Sequence, residues 1–120
     1  MVEFAMVLPV LCLLLFGVIQ FGLIFNNYVT LTDAVRAGAR KAAVSRQTTA
    51  PGGPVGVTQQ AVYDAATDLD RSKLPPPAVN STWQHGDPVT VCADYPWNFD
   101  LVGVGIASGT LHTCTKERVE

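Results

Sequence analysis

Charge is scarce in this chain and unevenly placed. Only 15% of the 120 residues are charged, the net charge is -2, and Phe4 to Phe25 carries no charge at all. No basic stripe exists of the kind that nucleic-acid binding needs, so that class of partner is excluded. Histidine occurs only at His85 and His112, neither with a second ligand at metal spacing along the chain, which argues against a zinc site. Phosphate-binding loops are missing too: Gly103-Val104-Gly105 lacks the third glycine of the dinucleotide pattern. Ser108 stands in no Gly-x-Ser-x-Gly context. Asp64, Asp68 and Asp70 are spaced as a solvated helix face, without the glycine and terminal glutamate of a calcium loop. No catalytic residues and no cofactor are therefore expected, and the chain reads as a non-enzyme.

What the chain does have is one long apolar block. The block is long enough to cross a bilayer, since about 20 apolar residues at 1.5 Å each match about 30 Å of hydrocarbon. Gln20 is its one strongly polar side chain, so it has no polar face and suits lipid rather than a soluble core. A secretory signal peptide would have a shorter apolar stretch, basic residues before it and a small-residue exit. Here Glu3 precedes the block, and its carboxylate is either a functional group or a simple boundary charge helped by the positive end of the helix dipole. Pro9 can kink the helix early, while Gly17 and Gly22, five apart, do not make the four-spaced stripe of a tight helix dimer.

Helical spacing continues past the block. Leu31, Ala34, Val35, Gly38, Ala39, Ala42 and Ala43 recur in three-to-four steps, predicting one helix over 1–47, about 70 Å long. Residues 1–27 form its membrane half and 28–47 its amphipathic half. Ala34, Gly38 and Ala42 make a ridge that lets another backbone approach closely. Arg36 and Arg40 share a different face, either solvated or facing carboxylates from elsewhere, other copies of the chain included. A Pro/Gly linker, 48–56, follows.

Residues 57–120 predict a small head. Val57 to Leu69 reads as a short amphipathic helix with Thr58 as its cap. Pro75-Pro76-Pro77 enforces an extended stretch. Strands are predicted at Val79–Trp83, Pro88–Tyr95 and Gly109–Val119, with a turn at His85-Gly86-Asp87 and a long connection, holding a short helical turn, before the third. The fold class is thus α+β: a long N-terminal helix, a short helix and an antiparallel sheet. Cys92 and Cys114 fall near the centres of two of these strands. As a disulfide they would close a loop of about 22 residues and contribute roughly 3 kcal/mol. The other reading is two buried free thiols. Cys12, in the apolar helix, fills volume.

The opening Val2-Glu3-Phe4-Ala5, then Leu8-Pro9, Phe16-Gly17 and Phe21-Gly22, then Arg36, Gly38, Ala39 and Arg40, resembles the TadE-like family of bacterial tight-adherence pilus proteins. The likeness is close over about the first 45 residues. It is looser at Val89-Thr90-Val91, Tyr95-Pro96 and Glu117-Arg118-Val119-Glu120. It implies a pilin-like fold and life history: a precursor in the bacterial inner membrane, cut by a prepilin peptidase, then moved by the assembly machinery into an extracellular helical filament used in adhesion. Partners would be other copies of the chain and other pilus subunits. On this reading Glu3, Phe4, Pro9, Gly17, Gly22, Ala34, Arg36, Gly38 and Arg40 serve subunit assembly.

The family's glutamate lies farther from its cut than Glu3 lies from the start here, so the sequence is expected to begin after processing or at an internal methionine. By the positive-inside rule Arg36, Arg40, Lys41 and Arg46 would hold the head in the cytoplasm. The cysteine pair, with the resemblance, puts it outside. The competing reading is a single-pass membrane protein that does not polymerise and carries an extracytoplasmic binding or pilus-assembly domain.

Overall fold

The computed structural model describes residues 2–120. It is an α+β fold measuring 71 × 24 × 19 Å. The long dimension belongs to α1 (Val2–Ala43), whose 42 residues span about 63 Å at 1.5 Å each. Pro9 sits inside this helix without ending it. The ring removes the donor that would have met the Ala5 carbonyl and crowds that carbonyl. At the other end α1 stops one turn short of Gln47, and Ser45 accounts for it. The Ser45 hydroxyl donates to the Lys41 carbonyl, while the Ser45 N–H turns to the Ala42 carbonyl at 3.1 Å. That shift to an i−3 partner tightens and closes the last turn.

The second half of α1 is the core of the head. Leu31, Ala34, Val35, Ala39 and Ala42 are completely buried, together with Val62, Val89 and Val91. Helix α2 (Gly53–Ala65) lies on the small-residue ridge. A Cβ on Gly38 would fall 2.3 Å from Val62 Cγ2 and 3.5 Å from the Thr58 carbonyl oxygen. The backbone that approaches this ridge therefore comes from the same chain. Helix α2 starts and ends about one turn earlier than its periodicity suggested. Gly52, left-handed at φ 82°, turns the chain into it, and Pro54 occupies the first turn, where its missing donor costs nothing. Thr58 is accordingly no cap: it is buried inside the helix, its hydroxyl donating to the Pro54 carbonyl at 2.7 Å.

Three antiparallel strands complete the fold in the order β1 (Ala78–Asn80), β2 (Pro88–Leu101), β3 (Val104–Arg118). The expected turn before β2 is present. Gly86, at φ 86°, donates its N–H to the Val119 carbonyl at 2.8 Å, and Glu120 N–H reaches the Ala43 carbonyl at 3.0 Å. The expected long connection is not. Strands β2 and β3 run on as one hairpin to a tip at Val102-Gly103, so no helical turn lies between them.

Pro96, which reads as loop, and Gly109, at the edge of the expected connection, both have reasons to lie in strands. Cys92 and Cys114 pair with a Cα–Cα distance of 4.1 Å, that of a non-hydrogen-bonded pair. Pro96 has the same parity, so its absent N–H would have pointed away from β3, toward an edge that β1 no longer covers. Gly109 pairs with Trp97, and a Cβ there would lie 2.9 Å from the indole Nε1. The bare position lets the ring lie across the strand. At the tip, Val102 (φ 52°) and Gly103 (φ 81°) both have positive φ, as a type I′ turn requires. Glycine adopts this freely. For a β-branched residue the cost is on the order of 1–3 kcal/mol.

Gly38→Ala is expected to destabilise the head by about 1–3 kcal/mol through overpacking against Val62. Gly22→Ala, with nothing within 4 Å of its added Cβ, is expected to leave stability equal or slightly raised. Thermal melts of the two variants in detergent check the contrast. Equal melting temperatures would show that α2 does not pack on this ridge.

Candidate functional site

The most conspicuous surface is the uncovered half of α1. Most side chains from Val2 to Phe25 stand in the open, with Phe4 81%, Val18 71% and Phe21 67% exposed and Cys12, Gln20 and Ile24 partly covered, an apolar cylinder rather than a patch. Burying one such side chain is worth roughly 1.5–3 kcal/mol. The whole surface represents tens of kcal/mol, far beyond what a soluble monomer leaves in water. This helix is long and apolar enough to cross a membrane. Glu3 sits exposed at its start and lines a shallow cleft with Phe4 and Val7. Pro9 is exposed farther along, and Gly17 and Gly22 face open space.

The remaining candidates lie beside the head. Arg36 pairs with Asp33 at 3.5 Å, both side chains mostly exposed, a contact worth little in water. Arg40 is exposed and makes no ion pair among the described residues. Ala34 and Gly38 are covered by the head, separated from the apolar half.

Two groupings were not read from the sequence. The first is a cleft of about 500 Å³ between α1 and β2, lined by Gln20, Leu23, Ile24 and Asn27 on the helix and by Lys73, Tyr95, Trp97, Asn98 and Asp100 opposite. It shows that the hairpin extends back along the helix as far as Gln20. The second lies on the exposed face of the hairpin. Cys92 is bonded to Cys114. Asp94 stands directly opposite His112, with Nδ1 of the ring against the carboxylate. His112 Nε2 is 3.2 Å from Cys114 Sγ. The signal was present as Cys92-Ala93-Asp94 and His112-Thr113-Cys114: residues two apart on paired strands share a face. The spacing that joins these groups runs across strands rather than along the chain. While the disulfide stands, the sulfurs are not thiolates and the block offers no metal-binding set beyond one imidazole and one carboxylate.

Below the helices, Asp70 caps the 3-10 turn Arg71–Lys73. Its carboxyl is held below the usual range, first by the Ser72 hydroxyl, then by the Ser72 N–H, with Lys73 adding a smaller pull.

The apolar opening, its acidic residue and the arginines beyond it lie on one unbroken helix. Residues 1–40 match the TadE-like protein family. The TadE-like match thus covers the apolar half of α1 and most of its buried half, and stops before α2 and the sheet. No curated protein and no solved structure matches the chain. The TadE-like family is pilus-associated and structural, which accords with a helix whose apolar half needs a cover other than water.

Replacing both Cys92 and Cys114 with Ser is expected to lower unfolding stability by roughly 3 kcal/mol. Urea unfolding of the variant beside the oxidised parent tests this; coincident curves would mean the cross-link contributes nothing. Because Asp70 is depressed in the folded chain, its contribution is full above its unfolded value of 3.8 and is lost as pH falls through the lower folded value. Asp70→Asn should therefore lower the neutral plateau of a pH–stability curve slightly and flatten its acid limb, so that the variant and parent curves converge at low pH. An unchanged acid limb would show that this cap has no linkage to folding.

Proposed function

We propose that the chain is a structural subunit of a tight-adherence, type IV-like pilus. In this reading α1 holds the precursor in the bacterial inner membrane with the head outside, and the same helix then packs among copies of itself in an extracellular filament that serves surface attachment. The observation that carries it is the uncovered apolar half of α1 within a TadE-like match. An apolar cylinder with no polar face can exchange lipid for neighbouring helices at little cost, since both present hydrocarbon.

Glu3 then sets the register. A carboxylate in a helix bundle is costly unless paired, so subunits assemble where Glu3 meets a cation on a neighbour, a terminal ammonium being one such group. Pro9, Gly17 and Gly22 leave the core half of the helix deformable as it repacks. Arg36 and Arg40, exposed beside the head, supply cations toward the carboxylates of adjacent subunits. Ala34 and Gly38 serve assembly indirectly, by holding the head against the helix.

A prepilin peptidase and the pilus assembly machinery are the enzymes and partners this route requires. The second reading, a membrane-anchored pilus-assembly protein that never polymerises, uses the same anchor and differs only in the fate of the helix.

Glu3→Ala is expected to insert into membranes at the parent level while reducing the chain's yield in sheared surface filaments at least tenfold. Immunoblots of membrane and sheared fractions, with electron microscopy of the latter, measure both. Absence of the parent chain from filaments, with normal membrane insertion, would favour the non-polymerising reading.

A further inference from the structure

The tip of the β2–β3 hairpin combines features that water does not explain. Val102, Val104 and Ile106 are 77%, 66% and 58% exposed. They lie in a run from Leu101 to Leu111 without a charged residue. Val102 also occupies a left-handed turn position at φ 52°, where asparagine or glycine would be unstrained. A branched apolar side chain kept where it strains the backbone points to a use for that side chain.

The tip's place in the fold indicates the use. Strand β2 leads from the Ala43 end of α1 back toward its N-terminus, and Asp100 reaches the cleft beside Gln20. Three further residues carry the tip about 10 Å onward. The stretch of α1 free of the hairpin, Val2 to Ile19, is about 27 Å long, close to the hydrocarbon thickness of a bilayer. With that stretch in the membrane, Gln20, Asn27, Lys73, Trp97, Asn98 and Asp100 ring the water side of the boundary, an arrangement of indole and lysine suited to headgroups.

We propose that Val102, Val104 and Ile106 form a second membrane contact, seated at the boundary between headgroups and acyl chains on the side of the head. Depth is limited. Among the described residues, the outer edge of β2 beyond Cys92 has no partner strand, and neither has the outer edge of β3. Unpaired backbone is not tolerated in the hydrocarbon centre, so the tip stays within about 5–10 Å of the surface. The proposal rests on α1 crossing the bilayer, a requirement shared by the polymerising and non-polymerising readings.

The test uses the full chain at low density in phosphatidylethanolamine–phosphatidylglycerol vesicles whose acyl chains are brominated near the headgroup. Single-tryptophan chains are compared: Trp83 alone, Trp97 alone, and Val102→Trp or Phe16→Trp with both native tryptophans changed to Phe. The Val102→Trp probe is expected to be quenched at least twofold more than Trp83, which lies toward the opposite end of the head. Val102→Asn, in the chain that retains Trp97 alone, is expected to melt no lower than the parent while reducing quenching of Trp97. This pairing separates lipid contact from folding. Quenching of Phe16→Trp with none at Val102→Trp overturns the tip contact and leaves the membrane reading standing. Lack of quenching at Phe16→Trp overturns both. Protection of the Val102→Trp probe that grows with protein density would assign the tip to a second copy and also overturn the proposal.

Discussion

One helix shared between two environments constrains everything else in this chain. Leu31, Ala34, Val35, Ala39 and Ala42 bury themselves in a head of their own chain, while Val2 to Ile19 on the same unbroken helix lie beyond the hairpin's cleft and are mostly exposed. The head has no separate core on which to rest: its sheet and α2 fold onto α1. An orientation imposed on the apolar half, by lipid or by neighbouring helices, is therefore passed to the head through continuous helix rather than through a linker. This coupling is stiffer than a Gly/Ser tether would be. It makes the small residues at Ala34, Gly38 and Ala42 important, because they set how closely α2 and the sheet can approach.

Much of this was legible in the sequence because it depends on periodicity. The apolar block, its continuation in three-to-four steps, the α+β order and the turn at Gly86 all follow from local pattern. The cysteine pair was legible as well, once Cys92 and Cys114 fell near strand centres. What escaped lies where a residue's usual meaning was overridden by its neighbour across space. Pro96, Gly105 and Gly109 signal loop along the chain. In the fold Pro96 faces a vacated edge and Gly109 makes room for Trp97, so a single hairpin replaces the predicted connection. Thr58 reads as a cap because hydroxyls favour helix starts, yet Gly52 and Pro54 begin the helix a turn earlier and draw Thr58 inside.

The candidate site divides in the same way. Glu3, Phe4 and Pro9 were found because they interrupt or border an apolar run, and such interruptions are visible in one dimension. The cleft joining Gln20 and Asn27 to Trp97 and Asp100, and the face carrying Asp94 and His112 beside the disulfide, depend on strand register and on the path of the hairpin along α1. Neither quantity is written in local composition. The family match stops at residue 40 and so speaks to the helix, while the head is described by its own packing.

The Cys92–Cys114 bond also alters what a break in the chain can do. It joins the two strands directly opposite one another and encloses the 22-residue separation that contains the hairpin tip. A protease cut anywhere between Ala93 and Thr113 leaves both fragments covalently joined, with β1, α2 and both ends of the hairpin still attached to α1. The hairpin tip can therefore be nicked without the head being lost.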